Sequence, residues 1–169
     1  MRKQKLYPVL KFAMGNIFWL TANSGSGKTM LAKAAQKKFK NIIVLDGDEM
    51  RRTICQGLGL SSEGRKENNL RIARLANLLA AQGHQVVVSV IAPYQEVRDE
   101  VDAICGPFWI YLLRKQKKRE DYPYEVPKKP DLIIHNKEGE PEKTIERFIL
   151  FLQKTPYVDQ RQAPAGGNA

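Results

Sequence analysis

This 169-residue sequence predicts an α/β fold, a five-stranded parallel sheet with helices on both faces, on three observations. Short apolar, β-branched runs recur at 16–21, 41–45, 84–91, 108–113 and 131–134, with helical patterns between them. Strands that alternate with helices connect by right-handed crossovers and give a parallel sheet covered on both sides. The first run also passes directly into Ala22-Asn23-Ser24-Gly25-Ser26-Gly27-Lys28-Thr29, a glycine-rich segment that opens a helix-forming stretch.

That segment reads as a phosphate-binding loop, so the fold is of the P-loop NTPase type. Gly25 and Gly27, with Ser24 and Ser26 beside them, let backbone N–H groups close around a phosphate. Lys28 reaches the β and γ phosphates, and Thr29 offers a hydroxyl to Mg²⁺. The helix that follows directs its positive N-terminus at the same anion. The pattern G-x-x-x-x-G-K-[ST] asks for glycine at position 22, where this chain has Ala22. An alanine fits there if its φ is negative.

Bulk properties narrow the classes. The length suits one domain with one core, burying about two-thirds of the unfolded surface. No apolar run approaches the ~20 residues needed to cross a bilayer. Residues 1–16 are basic, but Pro8 and Lys11 interrupt them and they lack the apolar centre of a signal peptide. The expectation is a cytoplasmic protein with a basic arm over 1–15, a domain over 16–154 and a flexible tail over 155–169. Cys55 and Cys105 form no C-x-x-C pair and read as reduced, buried thiols. His84 and His135, each at the end of an apolar run, read as structural or surface residues. The net charge of +10, from 28 basic and 18 acidic residues, attracts anions in general. No aromatics interleave with the basic runs at 2–5 and 114–119, which argues against a nucleic-acid platform.

The second run closes with Asp46-Gly47-Asp48, at the strand end where ligands sit in open α/β sheets. One of these carboxylates can align a substrate hydroxyl or hold Mg²⁺ through water; the same residues can equally form a turn and a helix cap. A helix is expected over 48–56, stopped by Gly57-Leu58-Gly59. A longer one over 65–82 places Ile72, Leu75, Ala76 and Leu79 on one face and stops at Gly83. Its start carries Arg65, Lys66, Asn68 and Arg71, positive where a helix N-terminus favours acids, which suggests a grip on an anion. The run over 84–91 is a strand buried on both faces, and its tip enters the crevice at Ala92-Pro93-Tyr94. A helix over 95–104 and the fourth strand follow. Residues 114–130, basic and proline-rich, read as a loop over the site. The last helix, over 140–153, aligns Ile145, Phe148, Ile149 and Leu152.

Taken in order, five features resemble the adenylylsulfate kinase family: the loop 24–29; Leu45-Asp46-Gly47-Asp48-x-x-Arg51; Leu58-Gly59-Leu60-Ser61-x-x-x-Arg65-x-Glu67-Asn68; Val88-Ser89-Val90-Ile91-Ala92-Pro93-Tyr94; and Pro123-Tyr124-Glu125-x-Pro127. The likeness spans 17–113 and resumes over 123–152. It implies a kinase that transfers the γ-phosphoryl group of MgATP to the 3′-hydroxyl of adenosine 5′-phosphosulfate, in sulfate assimilation. By this resemblance Lys28, Asp46 and Asp48 carry catalysis, with Asp48 orienting the acceptor hydroxyl. Arg51, Arg65 and Asn68 hold the phosphosulfate, and Ser89 and Ile91 line the nucleotide pocket. The family also commonly forms homodimers. This chain departs from the family at Ala22, at Leu60 in place of a phenylalanine that packs on the substrate's base, at Gly64 in place of an acid, at Ala92, at Gln95, and in a lid cut down to 114–122. Loss of that phenylalanine and of the long lid favours an alternative acceptor, such as a cytidine 5′-phosphoramidate phosphorylated during capsule decoration. A catalytically silent nucleotide-binding module is the competing non-enzymatic class.

Overall fold

The computed structural model describes residues 15–114 and 123–156. Residues 1–14 of the expected arm over 1–15, residues 115–122 of the basic lid and residues 157–169 of the expected tail lie outside the described residues. In order, the elements are β1 (Ile17–Thr21), α1 (Lys28–Lys38), β2 (Ile42–Asp46), α2 (Gly47–Arg52), α3 (Ser62–Ala81), β3 (Gln85–Ser89), α4 (Gln95–Cys105), β4 (Phe108–Leu113), β5 (Leu132–His135) and α5 (Pro141–Lys154). All five strands are parallel, in the order β2-β3-β1-β4-β5.

β1 is central and every one of its residues is buried. Its side chains alternate between two cores, as the period of a strand requires. Phe18 and Leu20 meet Leu31, Ala32 and Ala35 of α1 and Phe148 and Leu152 of α5. Ile17 and Trp19 meet Ile72, Ala73 and Ala76 of α3 and Val97 and Val101 of α4. That two-sided burial is why β1 reads as an unbroken apolar run. Stacked Phe18 and Phe108, 5.5 Å apart, and tilted Trp19 and Trp109, 5.3 Å apart, tie β1 to β4 on the two faces. Fully burying each such side chain contributes about 1.5–3 kcal/mol.

The helices depart from the sequence reading by a single residue at several ends and by more at the end of α2 and the start of α3. α2 ends at Arg52, because the Thr53 backbone leaves the helical region at φ −121° and ψ −107°, and the Thr53 hydroxyl bonds the carbonyls of Glu49 and Met50. α3 begins three residues earlier than expected, capped by the Ser61 hydroxyl, which accepts from the Gly64 N–H at 3.1 Å. Glu63 lies in its first turn. Arg65 is therefore one turn inside the helix, and its charge does not oppose the dipole at an exposed start.

Both cysteines are free. Cys55 is buried, whereas Cys105 is only half-buried, with its thiol pushed up to about 12 by desolvation. Among the described residues, no helix is long and apolar enough to cross a membrane.

Candidate active site

The register of the sheet sets up the site. Ser89 pairs with both Leu20 and Asp46, so the carboxyl ends of β1, β2 and β3 finish level with one another. Above them opens a cleft of about 450 Å³. Every sequence-predicted site residue except Ser26 and Gly27 lines it: Ser24, Gly25, Lys28 and Thr29 from the phosphate loop and the start of α1, Asp46, Asp48 and Arg51 from the end of β2 and α2, Arg65 and Asn68 from α3, and Ser89 and Ile91 from the end of β3 and just beyond it.

The loop from Ala22 to Gly27 is built to present its backbone. Gly25 and Gly27 have φ of 74° and 98°, a left-handed region that glycine enters without penalty. Among the described residues Ala92 is the only non-glycine with positive φ, so Ala22 sits buried without strain at the first glycine position. A Cβ on Gly27 would lie 2.7 Å from the Asn136 side-chain nitrogen. That nitrogen donates to the Ser26 carbonyl at 2.8 Å, while Asn136 accepts from the Thr144 hydroxyl at 3.2 Å. The loop is thereby tied to α5. Ser26 closes it from inside, donating to the Asn23 carbonyl at 2.8 Å, and Arg114 donates to the Gly25 carbonyl at 3.0 Å.

Lys28 opens α1 and lies buried, 8% exposed, donating to the Ala22 and Asn23 carbonyls. Burial pulls its ammonium down to about 8, against the opposing pull of the Asp46 and Asp48 carboxylates. A desolvated cation of this kind gains most when an anion arrives.

Asp46 forms the helix cap that the sequence allowed, and it also meets Thr29. Its Oδ1 caps α2 by accepting from the Asp48 N–H at 3.1 Å, and its Oδ2 accepts from the Thr29 hydroxyl at 2.9 Å. That second bond leaves the Thr29 lone pairs available to a cation, with a carboxylate alongside. The pair fits the hard, oxygen-preferring Mg²⁺, whose remaining places are ordinarily taken by phosphate and water. Among the described residues no group of three His, Cys, Asp or Glu side chains could hold a metal alone. Asp48 stands exposed at the cleft and is hydrogen-bonded through its side chain to none of the described residues.

Arg51 and Arg65 hold one short loop. Arg51 donates to the Leu58 carbonyl at 3.1 Å and Arg65 to the Leu60 carbonyl at 2.8 Å. Gly64 permits this packing, because a Cβ there would meet the Gly59 carbonyl oxygen at 2.4 Å. Its departure from the family pattern therefore has a steric cause. Leu60 projects at the cleft, 60% exposed.

Sequence reasoning missed the hub that supports this wall. Arg98 of α4 is 1% exposed and joins the tip of β3 to the segment after residue 122. It donates to the Ala92 carbonyl at 2.7 Å, the Glu125 carbonyl at 2.8 Å and the Gln95 side chain, and lies 5.8 Å from the centre of the Tyr124 ring. The Tyr124 hydroxyl, pushed up to about 12 by burial, bonds the Thr21 hydroxyl at 3.0 Å, and Thr21 donates to the Ile91 carbonyl. Residues 123–130 are thus a strap bound to the strand tips and not merely a loop lying over them. A signal existed: Arg98 falls on the same face of α4 as Val97 and Val101. Asn136 was missed too, although it is the first residue after a parallel strand.

A parallel sheet with a phosphate loop, a buried lysine, a threonine and carboxylate pair and two arginines across one cleft defines a P-loop phosphotransferase. The family model described as adenylylsulphate kinase matches residues 14–112. The adenylyl-sulfate kinase of Bacillus velezensis is 34% identical, with 83% of this chain and 86% of that protein covered. That of Gloeothece citriformis is 43% identical, with 85% and 97% covered. Among solved structures, the Mycobacterium tuberculosis APS kinase CysC in complex with AMPPNP and APS is 31% identical, with a TM-score of 0.71, 82% of this chain and 98% of that chain covered. The chain belongs to the adenylylsulphate kinase family and is an ATP-dependent phosphotransferase acting on a small nucleotide.

Proposed function

We propose that this chain phosphorylates the 3′-hydroxyl of adenosine 5′-phosphosulfate, using MgATP. The observation that carries this reading is that Lys28, Thr29, Asp46, Asp48, Arg51 and Arg65 all line one cleft. The loop amides and Lys28 hold the β and γ phosphates. Asp48, exposed at the same cleft, orients the hydroxyl and takes its proton. In the transfer the hydroxyl oxygen bonds to the γ phosphorus as the bond from that phosphorus to the β–γ bridging oxygen breaks, and ADP leaves. Arg51, Arg65 and Asn68 hold the acceptor's anion. Chemistry of this kind asks a protein mainly for positioning and neutralisation. Mg²⁺ on Thr29 and Asp46 would add charge neutralisation on the phosphates.

Leu60 supports a second reading. An exposed leucine, where the family carries a base-stacking phenylalanine, leaves room for a different base, as in a cytidine 5′-phosphoramidate. Its terminal phosphorus group is an anion of similar shape, so the arginines serve either acceptor. Both readings belong to an enzyme of the cytoplasm, where ATP is supplied, and a homodimer is proposed with them.

The test is ATP consumption against adenosine 5′-phosphosulfate and a panel of nucleoside monophosphates and phosphoramidates, with products identified by mass. A 3′-phosphorylated phosphosulfate as the one efficient product is expected. Preference for another panel member overturns the leading reading, and turnover by Lys28→Ala overturns the assigned phosphate loop.

A further inference from the structure

Three buried side-chain atoms have no hydrogen-bond partner among the described residues: Asn68 Oδ1, Asn69 Oδ1 and Ser89 Oγ. All three residues line the cleft, on the wall formed by α3 and the end of β3. Buried polar atoms are nearly always paired, so three orphans on one wall mark where a ligand completes the pairing. Asn69 is the informative member, because nothing above gives it a role. It is 2% exposed, and its amide is fixed in orientation: Nδ2 donates to the Arg65 carbonyl at 2.8 Å. Turning the amide over would set two carbonyl oxygens against each other. The unpaired atom is therefore an acceptor, and what pairs with it must carry an N–H or O–H.

We infer that Asn69 is a specificity-determining residue of the acceptor site, whose carbonyl accepts a hydrogen bond from the exocyclic amino group of the acceptor's base. This rests on the reading of the cleft as a nucleotide acceptor site and goes beyond it. The acceptor's anion is addressed by Arg51 and Arg65 and its reacting hydroxyl by Asp48. Two donors then remain on a nucleotide, the ribose 2′-hydroxyl and the amino group of adenine or cytosine, and the amino group is the one at the edge of a flat apolar ring. The wall around Asn69 suits such a ring, with Val90, Ala92, Pro93 and Leu60 lining the same cleft. Inosine and uridine nucleotides present a carbonyl at the corresponding position, which would face Asn69 Oδ1 as a second acceptor. An unpaired or opposed polar group inside a site is what separates near-isosteric ligands.

Calorimetric titration of the full chain, loaded with ADP and Mg²⁺, compares adenosine with inosine 5′-monophosphate and cytidine with uridine 5′-monophosphate. The expected result is at least tenfold tighter binding of the amino member of at least one pair. In Asn69→Leu that preference falls to within about twofold, because the carbonyl is gone and the volume is kept. A merely structural role for Asn69 would weaken all four ligands alike and leave the ratio intact. Asn69→Ala is the second variant, and an unchanged ADP affinity shows that either one has folded. Wild-type binding without preference, or a preference that survives both substitutions, overturns this inference alone. Failure of all four to bind at millimolar concentration overturns the acceptor-site reading along with it.

Discussion

Lys28 should take up a proton when nucleotide binds. Burial pulls its ammonium from the ordinary 10.5 down to about 8 when no nucleotide is bound. The triphosphate places several negative charges within reach of the ammonium and restores its affinity for the proton. At pH 8.5 about three-quarters of the free protein has a neutral Lys28, so binding takes up about three-quarters of a proton; at pH 7 the figure is about a tenth. Titrating a non-hydrolysable ATP analogue in two buffers of different ionisation enthalpy reads this number directly. Lys28→Met should abolish the uptake. No uptake at pH 8.5, or the same uptake in Lys28→Met, would refute the claim that a desolvated lysine forms the phosphate site. The same shift has a sign for stability. A lysine whose folded pKa is lowered costs stability in full below about pH 8, and the cost fades as pH rises toward 10.5. The fall from 10.5 to about 8 corresponds to roughly 3 kcal/mol. Thermal unfolding of the empty protein should therefore show a penalty that Lys28→Met lacks and that shrinks between pH 8 and pH 10.

Further outcomes follow from the same geometry. Asp46→Asn removes one of the charges that hold the Lys28 pKa up, so the proton uptake should set in at lower pH, and Mg²⁺ dependence measured by initial rates should weaken with it. Arg98→Met leaves the Ala92 and Glu125 carbonyls and the Gln95 side chain without their donor; a loss of about 3 kcal/mol is expected by urea unfolding, together with a raised acceptor KM as the strap loosens. Gly64→Ala sets overpacking against Gly59, about 1–3 kcal/mol, against a helix-propensity gain of about 1 kcal/mol. Its signature is weaker acceptor binding with ATP affinity unchanged, since only the loop held by Arg51 and Arg65 moves. Gly27→Ala forces a Cβ onto Asn136 at a positive φ, and ATP binding should be lost before folding is.

The sequence by itself determined the sheet, the order of its strands with helices, and the donor half of the site. Those are local matters: a two-sided strand must be apolar throughout, and a backbone that wraps a phosphate must have glycine where φ turns positive. It also placed Asp46 and Asp48 in one crevice, because residues at the carboxyl ends of parallel strands converge there, whereas Arg51 and Arg65 were reached through the family resemblance. Tertiary structure alone decided the rest. Asp46 could be a helix cap or a group facing the phosphate loop, and only the approach of Thr29, 17 positions away in the chain, put one of its oxygens on each. Arg98 reaches Glu125 across 27 positions, and Asn136 reaches Ser26 across 110, distances over which no periodicity in the sequence speaks. The unpaired carbonyl of Asn69 is more elusive still, since an asparagine shows no sign in sequence of which of its atoms lacks a partner. That is settled only when every neighbour has been packed around it.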